Sequence, residues 1–192
     1  MISSRKELKE HIAQDAKANR RTSTVSHLFG DEIWKFQKAM RKCDYYSTKK
    51  RFNFLFIIPY VFYKIRYHSL SVKLGFSMPY NIFGKGLSIA HYGTIVVNGK
   101  SVIGENCRIH ACVNIGVSGK SGAPKIGNNV FIGPGVKIVG DVSIADGVCL
   151  GAGAVVVKSI TEPNTTWAGV PARQISNNSS RKLLSEYLFE NQ

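Results

Sequence analysis

The sequence predicts a mainly β protein, a parallel β-helix of six-residue repeats preceded by an α-helical annex and followed by a short helix. Three observations carry this. Aliphatic residues recur at sixth positions between Phe83 and Val156. Small residues often follow them, as in "IG" at 103, 115, 126 and 132. Residues 1–75 follow a different grammar, basic and with apolar residues at helical spacing. A fixed short period is the mark of a solenoid, in which each repeat buries its apolar face only against its neighbours.

The annex, residues 1–75, holds most of the charge. The 192-residue chain has 26 Lys and Arg against 12 Asp and Glu, a formal charge of +14. Residues 1–75 carry 16 of the cations and 6 of the acids, and residues 76–192 carry 10 and 6. The imbalance points to an anionic partner, whether nucleic acid, a membrane surface or phosphate-bearing ligands; a solvated basic face is the plain alternative. No aromatic-basic motif of a recognised kind supports nucleic acid, and none is expected as a partner.

"SRKE", Ser4 to Glu7, has the form of a capping box at a helix start. A second helix is expected from about Asp31, with Ile33, Trp34, Phe36, Gln37 and Met40 making a mostly apolar stripe. A third covers "FNFLFIIPYVFY", residues 52–63, where Pro59 predicts a kink or break. These twelve residues fall short of the roughly 20 needed to span a bilayer. They read either as a core helix or as one resting on a bilayer beside Lys49, Lys50, Arg51, Lys64 and Arg66. "MISSRKELKEH" has no apolar signal core, so the expected location is cytoplasmic, with peripheral contact at the inner membrane face as the membrane option. Cys43, Cys107, Cys112 and Cys149 show no metal-binding spacing and read as reduced, buried thiols.

The repeats occupy residues 76–175. The aliphatic positions are Phe83, Ile89 and Ile95, then Ile103, Ile109 and Ile115, then Ile126, Ile132, Ile138, Ile144, Leu150 and Val156. The phase slips by two residues between 95 and 103 and by five between 115 and 126. Both insertions are expected to bulge outward as loops. Twelve repeats at three per coil predict four coils, stacked at the ordinary strand spacing of about 4.8 Å. Pro163 and Pro171 are expected to end regular structure, and residues 176–192 to form a short terminal helix.

"AHYGTIVV", "GKSG", "PKIG", "IGPGVKIVGD" and "AGVPAR" resemble the hexapeptide-repeat acyltransferases, most closely the serine acetyltransferase-like branch. In wording the chain is most similar to the sugar O-acetyltransferases of bacterial capsule and lipopolysaccharide clusters. The resemblance covers residues 76–175. It implies a left-handed β-helix, a homotrimer with sites in the clefts between neighbouring prisms, acetyl-CoA as co-substrate and no metal.

It also implies site residues. His91, in "HYGT", matches the general base of the serine acetyltransferases. A substrate hydroxyl is a poor nucleophile until its proton is removed, and an imidazole, with an ordinary pKa of about 6.5, can take that proton and later return it to the departing thiolate. His110, expected to point outward, is the second catalytic candidate. Gly133 and Gly151 match positions where the pantetheine arm approaches the backbone, and Lys158 and Arg173 match positions near the nucleotide phosphates. Ser118, Gly119 and Lys120 belong to the inserted loop, Ser118 to Pro124, which is expected to wall the cleft. Its Gly-Lys-Ser string lacks the spacing and the strand-to-helix context of a phosphate-binding P-loop. Cys112 has no assigned base and sits at a core-like repeat position, so it is not expected to act as a nucleophile.

Three departures bear on the acceptor. The family's aspartate fifteen positions before the histidine is Phe76 here, the aspartate directly before it is Ala90, and the arginine-histidine pair before "PKI" is deleted. A zwitterionic amino acid needs charged partners, so the expected acceptor is an uncharged sugar hydroxyl, free or lipid-linked, with serine as the alternative. His91 must also find another partner to fix its tautomer, such as a backbone carbonyl. The competing reading is a trimeric scaffold without catalysis, its basic annex binding nucleic acid or membrane.

Overall fold

The computed structural model describes residues 1–119 and 122–189. Three α-helices come first: α1 (Arg5–Ala18), α2 (Glu32–Lys49) and α3 (Ile57–Leu74). The Ser4 hydroxyl accepts the Glu7 N–H at 3.1 Å, while the Glu7 carboxylate takes the N–H of Ser3 rather than Ser4, so the capping box closes one residue early. Pro59 does not break α3. It lies in the first turn, where backbone N–H groups have no intrahelical acceptor to lose. Gly75, at φ 77°, ends the helix in the left-handed conformation that glycine tolerates.

Fourteen short strands follow among the described residues. One face of the prism stacks β1 (Phe76–Ser77), β3 (Ile95–Val97), β6 (Asn114–Gly116), β9 (Lys137–Val139) and β12 (Val155–Val156). The second stacks β4 (Val102–Ile103), β7 (Lys125–Ile126) and β10 (Ser143–Ile144), extended by bridges to Phe83 and Ile160. The third stacks β2 (Ser88–Ile89), β5 (Arg108–Ile109), β8 (Phe131–Ile132), β11 (Cys149–Leu150) and β13 (Thr166–Ala168). All of these pairs are parallel, as a β-helix requires. The two five-stranded parallel stacks make five coils rather than four, because Phe76, Ile160 and Trp167 complete coils at the ends of the repeat.

The two-residue slip is not a loop. Ile95 pairs downward with Phe76 and Val97 pairs upward with Ile115, and both side chains are buried. One three-residue strand therefore presents two inward positions, and the six-residue phase restarts at Val97. The five-residue slip does form an outward loop between β6 and β7, in which Lys120 and Ser121 lie outside the described residues. Regular structure also continues past Pro163. β13 pairs antiparallel with β14 (Arg173–Ser176), closing the last coil, and the terminal helix takes the form of two 3-10 turns, Ser180–Leu183 and Glu186–Leu188.

The annex closes the open end of the first coil. Phe36 and Met40 of α2 join the apolar core of the coils, Phe36 meeting Phe76 edge-on at 5.1 Å and stacking on Tyr67 at 5.4 Å. Arg41 locks this junction. All five of its N–H donors are used: Nε and Nη2 on the Asp15 carboxylate at 2.8 and 3.0 Å, Nη1 on Asp44 at 3.3 Å, and Nη1 and Nη2 on the carbonyls of Phe83 and Gly84. Asp15 also accepts the N–H groups of Gly86 and Leu87, and Asp44 that of Asn81. A buried ion cluster is tolerable only when its hydrogen-bonding capacity is met in this way.

Candidate active site

Stacking in register brings distant residues to one corner of the prism. Ile89, Ile109, Ile132 and Leu150 lie over one another on the third face, so the residues that follow them form a column: Ala90, His110, Gly133, Gly151 and finally Ala168. The ladder along it is continuous, each N–H bonding the carbonyl one coil on, from Ala90 to Ile109 through Gly151 to Trp167. Four inter-coil steps give the column a length of roughly 19 Å.

His91 is exposed at the start of this column, and its ring lies 5.8 Å from that of His110 in the coil above. No hydrogen bond to a described residue fixes the His91 ring, so the expected carbonyl partner is not found among the described residues. His110 is half-buried between His91 and Phe131, whose ring is 5.0 Å away. Arg108 Nε donates to His110 Nε2 at 3.3 Å, which occupies that lone pair. Burial, Arg108 and His91 together lower the pKa of His110 from the ordinary histidine value and favour the neutral ring.

The two glycines have a structural reason as well as a place in the column. A Cβ on Gly133 would stand 2.7 Å from the Leu150 carbonyl, so the coil stacking itself excludes a side chain there. The column leads to a cavity of about 320 Å³ formed in part by Lys158, Trp167, Pro171 and Arg173. Lys158 and Arg173, 15 residues apart in sequence, thus come together as exposed cations beside an indole. Ser118 and Gly119 are exposed in the inserted loop, and Lys120 lies outside the described residues. Cys112 is not at a core position: it is exposed, in a turn at φ 62°, while the other three cysteines are buried.

The annex supplies a wall that the sequence did not reveal. A cavity of about 270 Å³ opens beside His91, between Ala90 and Tyr92 on one side and Asn19, Arg21, Glu32 and Gln37 on the other. Gln37 Nε2 donates to the Leu87 carbonyl at 2.7 Å, while its Oε1 is buried with no partner among the described residues. Arg21 grips Asp31 with two bonds of 2.7 and 2.9 Å and lies over the Trp34 ring at 5.1 Å. The available signal was Gln37 itself, a polar residue within the apolar stripe of α2. Phe76 is turned into the core, and Ala90 offers no charge, so neither replaces the family's aspartates.

A β-helix of six-residue repeats with a histidine at its corner is similar to the hexapeptide-repeat proteins, and the bacterial transferase hexapeptide family model, of six repeats, matches residues 123–158. More particularly, the chain is similar to serine acetyltransferases. That of Escherichia coli strain K12 is 41% identical over 102 residues, 52% of this chain and 37% of that protein. The chain thus matches a little over a third of the length of this curated relative. Serine acetyltransferase from Brucella abortus strain S19, solved in complex with coenzyme A, superposes with a TM-score of 0.68 at 27% identity, covering 91% of this chain and 70% of that one. Soybean serine acetyltransferase complexed with serine gives 0.67 at 29% identity, covering 88% and 69%.

Proposed function

We propose that this chain transfers the acetyl group of acetyl-CoA to an acceptor hydroxyl, with His91 as general base. The observation that carries this is the corner column, which runs from His91 past small residues to the Lys158–Arg173 cavity. An extended arm lying along it would set its thioester near His91 and its phosphates beside two cations. The coenzyme A bound to the Brucella abortus relative supports this donor.

His91 takes the hydroxyl proton as the oxygen attacks the thioester carbonyl. The tetrahedral intermediate then collapses with cleavage of the C–S bond, and the imidazolium returns the proton to the departing thiolate. Transfer is direct, with no acyl-enzyme. Because His91 has no hydrogen-bond partner among the described residues, its orientation is assigned to a neighbouring prism of a homotrimer, which light scattering tests.

For the acceptor, the names of the relatives, and the soybean enzyme solved with serine, favour serine. The Arg21–Asp31 ion pair and Glu32, which pairs with Lys73, border the neighbouring cavity and would have to exchange partners to hold the charges of an amino acid. A sugar hydroxyl is the second reading, in which the chain acts as the capsule and lipopolysaccharide O-acetyltransferases do. It is favoured by Phe76 turned inward and Ala90 in place of carboxylates. Coenzyme A release decides: turnover with free serine at a steady catalytic rate eliminates the sugar reading, and turnover only with nucleotide-linked or lipid-linked sugars eliminates serine. Absence of thermal stabilisation by acetyl-CoA would return the chain to the scaffold reading.

A further inference from the structure

Helix α3 has two apolar faces, and only one of them is used. Tyr60, Tyr67, Leu70 and Leu74 face α2 and the coils. On the opposite side Ile58, Phe62, Ile65 and Val72 follow helical spacing, with exposures of 78, 58, 66 and 70%. That stripe runs about 21 Å along the helix. Phe52, Phe54 and Leu55, just before α3, extend it and are exposed to 83, 75 and 62%. So large an uncovered apolar strip marks an interaction surface. α3 is not long and apolar enough to cross a membrane, nor is any other described helix.

The charges beside the strip are of one sign. From Tyr45 to Gly104 the sequence contains no Asp or Glu, while Lys49, Lys50, Arg51, Lys64 and Arg66 fall within or next to the strip; Lys73, at its far end, is paired with Glu32 of α2 at 3.3 Å. Phe62 and Arg66 also line an open cavity of about 710 Å³ between the three helices, into which Lys9, Lys35, Lys38 and Lys42 project and no carboxylate does. Lys38 is held at the rim by the Thr24 carbonyl and the Ser26 hydroxyl. Burial and the neighbouring cations Lys42, Arg21 and Arg66 lower its pKa, the response of a site crowded with positive charge.

We infer that this face of the annex docks on an anionic phospholipid surface, with the α3 strip entering the acyl boundary and the lysine cavity receiving a lipid phosphate. A bilayer of that kind supplies both complements at once, hydrocarbon for the strip and phosphate for the cations. A second copy of this chain supplies only one. A two-fold contact through the strip would set the Lys49–Arg51 cluster, Lys64 and Arg66 against their own copies, with Glu32, already paired with Lys73, as the acid beside them. The inference is independent of the acetyl-transfer reading, because its test needs no turnover.

The experiment is flotation of the full chain with vesicles of phosphatidylcholine alone and of phosphatidylcholine mixed with phosphatidylglycerol. Binding is expected to the mixed vesicles only and to weaken steeply with salt. The triple variant Ile58→Ser/Phe62→Ser/Ile65→Ser changes exposed side chains only, so its melting temperature should match that of the natural chain while its vesicle binding falls at least tenfold. Lys38→Gln/Lys42→Gln should lose about fivefold per cation removed. Equal binding to both vesicle types, or unchanged binding by the triple variant, overturns the inference. So would competition by millimolar inorganic phosphate that leaves no vesicle-bound fraction, which would assign the cavity to a soluble anion. A triple variant that instead dissociates a larger assembly would assign the strip to a second copy.

Discussion

In the β-helix the side chains that hold the fold are nearly interchangeable. Ile109, Ile132 and Leu150 sit one above another, each buried by the next, and any of them serves a neighbour's place. The annex has no such redundancy. It is fixed to the first coil through Arg41, whose five donors reach two carboxylates and two carbonyls on three separate segments. Stability in one region comes from like coils and the contacts between them, and in the other from one satisfied ion cluster together with the packing of Phe36 and Met40. The candidate site lies where the two meet, the histidine and donor column coming from the coils and the cavity with Gln37 from the annex.

The largest expected effect tests that junction. His91→Ala should lower turnover by about 10²–10⁴-fold, the usual contribution of a positioned base, while acetyl-CoA still raises the melting temperature. His110→Ala should cost less, because the Arg108 Nε–H already occupies the His110 Nε2 lone pair. If the two variants fall equally, the histidines work as one unit and the division of roles is wrong.

Next in size is the annex clamp. Arg41→Leu leaves the Asp15 and Asp44 carboxylates buried without their cation, a cost of about 3–5 kcal/mol. The two tryptophans separate the regions, Trp34 lying in α2 and Trp167 in the last coil. Urea unfolding of Arg41→Leu, followed by fluorescence in Trp34→Phe and Trp167→Phe backgrounds, should show the Trp34 signal lost at lower urea than the Trp167 signal. Coincident transitions would mean that annex and coils unfold together.

These contrasts also explain what could be read from the sequence. The repeat was legible because each inward Ile or Val meets the same environment, so the period survives in the order of residues. The two-residue slip was misplaced because Ile95 and Val97 are both aliphatic, and only pairing shows which one starts the new phase. The extra coil was hidden because Phe76, Ile160 and Trp167 stand outside the six-residue phase. Of the site, His91 and the glycine column lay within the repeat grammar. Gln37, Arg21 and Glu32 did not, since their meeting with Tyr92 depends on how the annex docks, and the Arg41 cluster that sets this docking spans residues from Asp15 to Leu87.

A smaller effect should appear on acidification, and again in the annex. His11 on α1 faces Arg41, Asp15 and Lys85; burial, then Arg41, pushes its pKa down from 6.5 to about 4. Above pH 6.5 the ring is neutral in both folded and unfolded chains and contributes nothing. As the pH falls from 6.5 towards 4, the unfolded chain takes up a proton that the folded chain refuses, so stability is lost in that window. The loss should be about 1–2 kcal/mol, allowing for the ring's partial exposure. Unfolding free energies of the natural chain and of His11→Phe between pH 7 and pH 4 should diverge by that amount, and parallel curves would remove His11 from the account.

The smallest expected effect probes the coils alone. Ile132→Val removes one buried methylene from the middle of the third-face stack and should cost about 0.5–1.5 kcal/mol. The Trp167 transition should register it, because Ile132 packs against Leu150 and Leu150 pairs with Trp167. Ile109→Val should cost a similar amount. The double variant separates a sum of independent coils from a coupled stack. Residues in direct contact share the space left by each deletion, so the two costs should fail to add by about 0.5 kcal/mol or more. Strict additivity would mean that each coil relaxes around its own defect, and that repetition, rather than packing between particular side chains, carries the stability of this half of the molecule.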